Sequence, residues 1–253
     1  MAQLAITRQV GAGLENCELT HLEREPIDVG LAIMQHDAYE VALHGIGLQL
    51  ESLPALDALP DSVFIEDTAI VLDEVAIITR PGVVSRRPET PHTTQVLAHY
   101  RRLVFIDAPG TIEGGDVLRV GRRLLVGITG RTNQAGVNQL RAIVEPLGYQ
   151  VEALPVAGAL HLKSACTRLT DDTILANPDW IDTSLLGVPR VLCVAGKEPL
   201  AANVLALDHR VIVSASFPGT RQLLDKAGFK TIPVDVSELH KAEGGLTCLS
   251  LIL

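Results

Sequence analysis

A cysteine close to the C-terminus, Cys248, is the residue of this chain best suited to nucleophilic chemistry. It follows Gly244 and Gly245 and precedes a short apolar run, residues 249–253, that predicts a β-strand. Glycines permit positive φ angles and leave room for a ligand close to the backbone. A thiol after such a turn is well placed to attack an electrophile. The alternative is a structural core cysteine, because free cysteine is among the most buried residue types.

Acidic residues and a histidine occupy matching places earlier in the chain. Asp67 and Glu113 are 46 residues apart, Glu113 and His161 are 48 apart, and Cys248 follows after about twice that interval. Each alone has a structural explanation, since a histidine between leucines is usually a core residue and acids beside glycines are usually solvated. The adjacent carboxylates Glu66 and Asp67 are harder to explain as structural residues. Burying two negative charges in an apolar setting costs free energy unless a cationic partner is present. The common interval favours one shared site.

A hairpin pattern recurs along the chain and predicts repeated structural units. Short aliphatic runs flank polar turns that begin at residues 73, 121, 171 and 208, which are 48, 50 and 37 residues apart. Polar two-residue junctions between such runs are typical of β-hairpins. Amphipathic stretches at residues 134–147 and 218–227 predict helices between hairpins. A repeat of this length indicates a propeller or another repeat array.

The two ends of the chain each carry a strand without a partner nearby in the sequence, at residues 4–7 and 247–252. We therefore expect the termini to pair and to close a ring of five ββαβ units, which removes exposed sheet edges. Equivalent residues of the repeat would then converge on the axis. An open α/β sheet with the same order of elements is the alternative. Because no linker-like segment divides the chain, a single domain spanning residues 1–253 is expected.

Composition and charge limit the possible function classes. The 253 residues are 47% hydrophobic and 20% charged, which is typical of a globular protein with a sizeable core. No membrane-length apolar run and no signal-peptide pattern is evident, so a cytoplasmic protein without membrane association is expected. Scattered cysteines without CxxC spacing indicate a reducing compartment and no structural zinc site. A net charge of −9 disfavours nucleic acid and mildly favours a small cationic substrate, although solubility alone explains many acidic surfaces.

Several segments together resemble the dimethylarginine dimethylaminohydrolases, members of the guanidino-group-modifying superfamily. The resemblance covers nearly the whole chain and rests on the order and spacing of its segments. They are PDSVFIED at 60–67, ITRPG at 78–82 with SRR at 85–87, EGGD at 113–116, RTN at 131–133, LHLK at 160–163, AAN at 201–203 and GGLTC at 244–248. The resemblance implies an α/β fold, the five-bladed α/β propeller (pentein) with pseudo-fivefold symmetry. The hairpin repeat suggests the same architecture.

The resemblance implies covalent catalysis at a guanidinium carbon, with Cys248, His161 and Glu113 as the catalytic residues. Asp67 and Glu113 would hold the guanidinium through charge-assisted hydrogen bonds. The Cys248 thiolate, favoured by the substrate's positive charge, would attack the carbon and form a thiouronium intermediate after amine loss. His161 would protonate the leaving dimethylamine or methylamine and then activate the hydrolytic water, which gives citrulline.

The resemblance also assigns the residues that would bind the rest of the substrate. Two arginines would bind its carboxylate, and an aspartate with a main-chain carbonyl near Ala242 would bind its α-amino group. Glu66 would contact the guanidino side, and Leu19 would belong to a mobile lid at residues 11–23. The expected substrate-binding residues are Leu19, Asp61, Glu66, Asp67, Arg86, Arg131 and Ala242. Ala242 replaces the larger β-branched residue that is usual in the family, and Leu249 stands where Met is common.

No cofactor is expected, and zinc would enter only as an inhibitor at Cys248 and His161. The partner would be a small cationic guanidino compound, bound by a monomer or a homodimer. An arginine deiminase is the nearest alternative, although those enzymes typically carry Arg-Asp where this chain has Glu66-Asp67, together with an additional helical insertion. A non-catalytic, ribosome-binding propeller is a further alternative, but it would not need converging thiol, imidazole and carboxylates.

Overall fold

The protein folds into five three-stranded sheets that form the blades of an α/β propeller, and the computed structural model describes residues 3–253. Blade 1 contains β1 (Leu4–Arg8), β2 (Gln49–Leu53) and the last strand of the chain, β15 (Ser250–Ile252). The other blades contain β3 (Ala69–Val71), β4 (Val75–Ile78) and β5 (Arg102–Phe105); β6 (Val117–Val120), β7 (Arg123–Ile128) and β8 (Gln150–Pro155); β9 (Cys166–Thr170), β10 (Thr173–Ala176) and β11 (Arg190–Cys193); and β12 (Leu205–Leu207), β13 (Arg210–Ser214) and β14 (Lys230–Val234).

Every blade begins with an antiparallel pair of strands and ends with a parallel one. The four predicted hairpins are confirmed as β3–β4, β6–β7, β9–β10 and β12–β13. Two of their tight turns use a left-handed residue, Gly121 with φ 59° and Asp208 with φ 54°. These are residue types that tolerate this conformation, which explains why the polar turn residues were a reliable signal.

The chain termini close the ring, as the sequence predicts. β1 pairs antiparallel with β15, so that Ile6 faces Leu251, and parallel with β2. Because β1 is covered on both sides, the ring is joined at the point where an open α/β sheet would leave an edge. The predicted ring of five ββαβ units is therefore confirmed, and the open-sheet alternative is wrong.

Helices cross over between the second and third strands of most blades. They are α1 (Val29–Gly45), α2 (Thr90–Leu97), α3 (Gln134–Val144) and α5 (Pro218–Lys226), while α4 (Leu162–Ala165) and α6 (Ser237–His240) are short. Asn133 caps α3 by accepting from the amide of Gly136 at 2.8 Å. The helix predicted at 134–147 continues past Val144 as a 3-10 turn that ends at Gly148. In the fourth blade a 3-10 turn, Thr183–Leu186, takes the place of the crossover helix.

A single helical turn precedes the first strand of every blade, and these five turns position the candidate site. They are Ile65–Thr68, Gly114–Asp116, Leu162–Ala165, Pro199–Ala202 and Thr247–Leu249. Each turn is followed directly, or after at most two residues, by the strand that begins its blade. Equivalent positions of the repeat therefore meet at one end of the propeller axis. Cys248 lies on the last of these turns, so the strand predicted at 247–252 begins at Ser250.

No helix within residues 3–253 is long and apolar enough to span a membrane.

Candidate active site

A small cavity lies where Asp67, His161 and Cys248 come together from three of the one-turn helices or the residue before them. Its walls include most of the predicted site residues: Asp61, Asp67, Arg86, Arg131, His161, Ala242 and Cys248, together with Glu18, Phe64, Leu160, Glu243 and Gly244. The cavity volume is about 10 Å³, which is room for about one water molecule. An arginine derivative is far larger, so binding requires movement of the residues that cover the cavity.

Cys248 is both a buried residue and a residue that faces this cavity. Its side chain is only 6% exposed, and Sγ accepts a hydrogen bond from the Gly245 amide at 3.4 Å. Burial raises the pKa of the thiol strongly, and the negative charges of Glu66 and Asp67 raise it further. The sulfur is therefore a neutral thiol at neutral pH in this structure. A cation bound beside it would favour the thiolate.

The two glycines before Cys248 have a different role from the one expected. Neither has a positive φ, whereas Glu243, which precedes them, has φ 57°. A Cβ on Gly244 would collide with the Phe64 ring, and one on Gly245 would lie 2.5 Å from the Asn203 side chain. The glycines therefore permit close packing of the turn that carries Cys248 against two neighbouring turns, and the expectation of positive φ at these positions is wrong.

His161 and Glu113 form a buried acid–base pair. His161 Nε2 lies 2.7 Å from Glu113 Oε2 and 3.8 Å from Asp67 Oδ1. Although burial lowers the pKa of His161, the charges of Asp67 and Asp116 and the hydrogen bond to Glu113 raise it to about 9. The ring is therefore an imidazolium at neutral pH. Burial opposes the ionisation of Glu113, but His161 lowers the pKa of this carboxyl group.

Asp67 occupies the centre of the site as a fully paired carboxylate. Its Oδ2 accepts from Arg86 Nη1 at 2.6 Å, and its Oδ1 accepts from the Gly115 amide at 3.0 Å. Burial raises the pKa of this group, but His161 and Arg86 outweigh burial and lower it to about 2. A Cβ on Gly115 would lie 2.7 Å from both Asp67 Oδ1 and His161 Nδ1. Glycine at this position therefore allows the carboxylate and the imidazole to approach.

The two arginines predicted to bind a carboxylate have protein partners in this structure. Arg86 binds Glu89 through two hydrogen bonds of 2.9 and 3.0 Å, in addition to Asp67, and also donates to two main-chain carbonyls. Arg131 donates to Glu113 at 3.4 Å and to Thr20 Oγ1 at 3.1 Å. Arg131 is thus held by weaker contacts than Arg86. Both line the cavity, and their carboxylate-binding role stays a prediction.

Glu66, like Glu113 and Leu19, is a predicted site residue that does not line the cavity. Its carboxylate binds Lys163 Nζ and accepts from Thr247 Oγ1 at 2.8 Å. It lines a second cavity of about 460 Å³ with these two residues. Asn203 holds the same region, because its side chain bonds both the amide and the hydroxyl of Thr247. Glu66 therefore supports the turn that carries Cys248, and its contact with a guanidino group stays a prediction.

A loop at residues 18–22 covers the cavity, within the region predicted as a lid. Both carboxylate oxygens of Asp61 accept from the Glu18 amide at 3.2 Å. The Glu243 carboxylate accepts from the amides of Thr20 (3.0 Å), His21 (2.5 Å) and Leu22 (2.6 Å). Leu19 packs on the hydrophobic cluster that contains Cys248. The sequence did not predict Glu18 or Glu243 as site residues, and their only signal is position, within the predicted lid and beside the glycine pair.

Three of these groups are also close enough to share a cation. The ligating atoms of Asp67, Glu113 and His161 lie within 4.8 Å of one another. Their pairing with one another and with Arg86 and Arg131 already accounts for their charges. Inhibition by zinc at Cys248 and His161 stays a prediction.

Comparisons with known proteins agree with this geometry. The family model described as "Arginine deiminase" matches residues 36–185. A dimethylarginine dimethylaminohydrolase of Streptomyces coelicolor is 44% identical, over 98% of this chain and 96% of that protein. This chain belongs to the dimethylarginine dimethylaminohydrolase family. The family resemblance predicted from its motifs is thus confirmed.

Solved structures of the family have the same fold. That of the Pseudomonas aeruginosa enzyme, a cysteine-to-serine variant complexed with citrulline, has a TM-score of 0.93, 33% identity and complete coverage of both chains. The N-terminal domain of ArgZ, described as an arginine dihydrolase, has a TM-score of 0.89 and 18% identity, covering 100% of this chain and 97% of that one, and so shows the fold alone. The predicted pentein fold is confirmed.

Proposed function

We propose that this protein hydrolyses Nω-methylated arginines, namely asymmetric dimethylarginine and monomethylarginine, to citrulline and dimethylamine or methylamine. One observation carries the proposal: the Cys248 thiol and the His161 imidazolium, which is paired with Glu113, face one cavity beside the Asp67 carboxylate. Relatives bearing the name of this activity, one of them in complex with citrulline, support it. The protein is thus an enzyme that breaks a carbon–nitrogen bond of a guanidino group.

The first step is attack of Cys248 on the guanidinium carbon. The substrate cation lies against Asp67 and offsets the burial and the negative charges that raise the pKa of the thiol, so the thiol releases its proton to solvent as substrate binds. The new carbon–sulfur bond gives a tetrahedral adduct. His161, protonated at neutral pH, gives its proton to the methylated nitrogen, and the carbon–nitrogen bond breaks with release of the amine.

The second step is hydrolysis of the thiouronium. His161, now neutral, accepts a proton from water as the water oxygen attacks the same carbon. The carbon–sulfur bond then breaks, and the electron pair returns to Cys248 while citrulline forms. Glu113 stays bonded to His161 throughout and orients the ring. His161 thus donates the proton for amine release and accepts the proton of the attacking water.

The amino-acid end of the substrate binds where the lid now binds. The Glu18 amide donates to Asp61, which is the contact that an α-amino group would make, and Thr20 contacts Arg131, the predicted partner of a carboxylate. Ala242 lines the same cavity. The α-amino group of the substrate thus replaces the Glu18 amide at Asp61, and its carboxylate replaces Thr20 at Arg131. The lid then closes over the bound molecule.

The test is a citrulline assay with asymmetric dimethylarginine, monomethylarginine and arginine. We expect both methylated substrates to give citrulline, and Cys248→Ser to abolish the product. Preference for arginine by a factor above about ten would identify an arginine deiminase instead. The match to the arginine deiminase family model makes this the alternative to exclude. Activity that survives in Cys248→Ser would overturn the assigned nucleophile.

The remaining expectations concern the setting in which the enzyme acts. We propose a cytoplasmic enzyme that needs no cofactor, acts on a small cationic guanidino compound, binds neither nucleic acid nor membranes, and is a monomer or a homodimer. Support comes from the net charge of −9 and the scattered cysteines.

A further inference from the structure

Asp116 is a buried carboxylate that the mechanism above does not use. Its side chain has no exposed surface, and the residue does not line the cavity that contains Cys248. Its Oδ2 accepts from Thr132 Oγ1 at 2.6 Å and from Thr129 Oγ1 at 2.8 Å, and its Oδ1 accepts from the Leu162 amide at 2.9 Å. A buried carboxylate with three donors is fixed in one orientation.

Each of these three contacts leads to a residue of the site. Leu162 directly follows His161, so its amide fixes the backbone that carries the imidazole. The Thr132 hydroxyl accepts from the Glu113 amide at 3.2 Å. The Thr129 hydroxyl accepts from the Arg131 amide at 3.1 Å. One carboxylate thus connects the backbones that carry the imidazole, its carboxylate partner and an arginine.

The strand beside Asp116 has a glycine that makes room for it. Gly127 lies in the buried strand β7, and a Cβ there would stand 2.8 Å from Asp116 Oδ1. Glycine weakens a strand interior, so its presence indicates a close approach by another group. Burial raises the pKa of Asp116, but only to about 6, because His161 and the hydrogen bonds favour the ionised form. Asp116 is therefore charged at neutral pH.

The charged groups that face His161 are Glu113, Asp67 and Asp116, and Arg131 and Arg86 pair with the first two. Of these three carboxylates, Asp116 alone forms no ion pair within residues 3–253, and its donors are two threonine hydroxyls and a main-chain amide. Asp116 neither lines the cavity nor hydrogen-bonds the ring, whereas Asp67 lines the cavity and Glu113 bonds the ring nitrogen.

We propose that Asp116 is a positioning residue that holds His161 and Glu113 in the geometry for proton transfer to the leaving amine. The inference rests on the proposed function. Asp116 acts through the backbones beside it and through its charge, and it touches neither substrate nor nucleophile. Its loss should therefore slow the step that needs the His161 proton more than it weakens substrate binding.

The leaving group separates this role from a merely structural one. When dimethylarginine reacts, the carbon–nitrogen bond breaks and the nitrogen needs a proton from His161. When S-methyl-L-thiocitrulline reacts, the carbon–sulfur bond breaks and methanethiolate leaves with the electron pair without needing a proton. A histidine-to-glycine variant of a dimethylarginine dimethylaminohydrolase forms an adduct with this compound. Poor positioning of His161 should therefore impair amine release selectively.

The experiment compares Asp116→Asn with the parent on both compounds. We expect kcat for dimethylarginine to fall about ten-fold or more with KM changed less than about three-fold, because proton transfer contributes at least this much. The burst of methanethiol from S-methyl-L-thiocitrulline should fall less than three-fold. Equal losses with the two compounds, or no loss, would overturn the proposal. The matched control is Asp182→Asn, which changes an exposed carboxylate that caps a local turn and should behave as the parent.

A second variant covers the case in which Asp116→Asn does not fold. Thr129→Val removes one donor from Asp116 and keeps its charge. It should reduce turnover of dimethylarginine about three-fold more than the methanethiol burst, and equal losses would again contradict the proposal. If the parent hydrolyses arginine and no methylated arginine, the proposed function is wrong. The same comparison, with ammonia as leaving group, then still tests Asp116.

Discussion

The base of the site and its cover are built from different interactions. At the base, Asp67, Glu113 and His161 are almost completely buried, and side-chain ion pairs of 2.6 and 2.7 Å hold them. At the cover, main-chain amides of residues 18–22 bind the carboxylates of Asp61 and Glu243. Breaking a buried ion pair leaves an unpaired charge, whereas the amides of the exposed residues 20–22 can bond water in place of Glu243. The chemistry is therefore held rigidly while access can change.

The largest expected effect concerns the nucleophile at the base. Cys248→Ser should lower citrulline formation by about three orders of magnitude or more, because a hydroxyl with no adjacent strong base is a far weaker nucleophile. The melting temperature should change little, since the two side chains are similar in size. The matched control is Cys193→Ser at an exposed cysteine, which should keep parental activity.

A second prediction tests how tightly the base is packed. Gly244→Ala places a methyl group against the Phe64 ring and should destabilise the fold by about 1–3 kcal/mol, with a large loss of activity as the Cys248 turn shifts. Urea unfolding and the citrulline assay measure the two effects. Gly130→Ala is the control, because nothing lies within 4 Å of its Cβ position. Equal stability of the two variants would contradict the packing argument.

A third prediction follows from the raised pKa of His161. Because folding raises this pKa from 6.5 to about 9, the charged ring stabilises the fold fully below pH 6.5, and this stabilisation is lost as the pH rises through 9. The contribution is about 3 kcal/mol. Urea unfolding of the parent and of His161→Gln between pH 6 and 10 measures it. Parallel stability curves for the two proteins would show that the imidazolium does not contribute.

The smallest effect is expected at the cover. Glu243→Gln keeps the shape of the side chain but weakens its bonds to the lid amides, so kcat/KM should fall about three- to ten-fold with nearly unchanged stability. Hydrogen exchange at residues 20–22 should accelerate. Glu243→Gly should free the lid equally and also relieve the positive φ of this residue. Glu23→Gln is the neighbouring control and should behave as the parent. Slower hydrogen exchange in Glu243→Gln would contradict the role of Glu243 in holding the lid.

The sequence predicted the parts of the site that repeat. Asp67, Glu113 and His161 stand at matching intervals, and the structure places all three on or beside the one-turn helices that begin successive blades. It also indicated that Glu66 and Asp67 need cationic partners, and Lys163 and Arg86 supply them. These features depend on local residue type and on the spacing of the repeat, both of which can be read from the amino-acid sequence.

The sequence could not predict which group each side chain contacts. Glu66 turns toward Lys163 and Thr247, although its neighbour Asp67 faces the cavity. Gly244 and Gly245 lack the positive φ expected of them, and Glu243 has it instead. Adjacent residues on a tight turn point in different directions. Their partners lie on other blades, at distances along the chain that no local pattern reports.

The sequence by itself determined the propeller, its closure and the identity of the thiol, imidazole and carboxylates. Hairpin turns, β-branched runs and terminal strands encode these features through short-range geometry and the need to cover sheet edges. Only the tertiary structure decided the charge states of these groups. In the folded protein the pKa of His161 is raised to about 9, and the pKa of the Cys248 thiol is raised by a larger amount. Those shifts arise from burial and from charges on other blades, because electrostatic energies depend on distance in space.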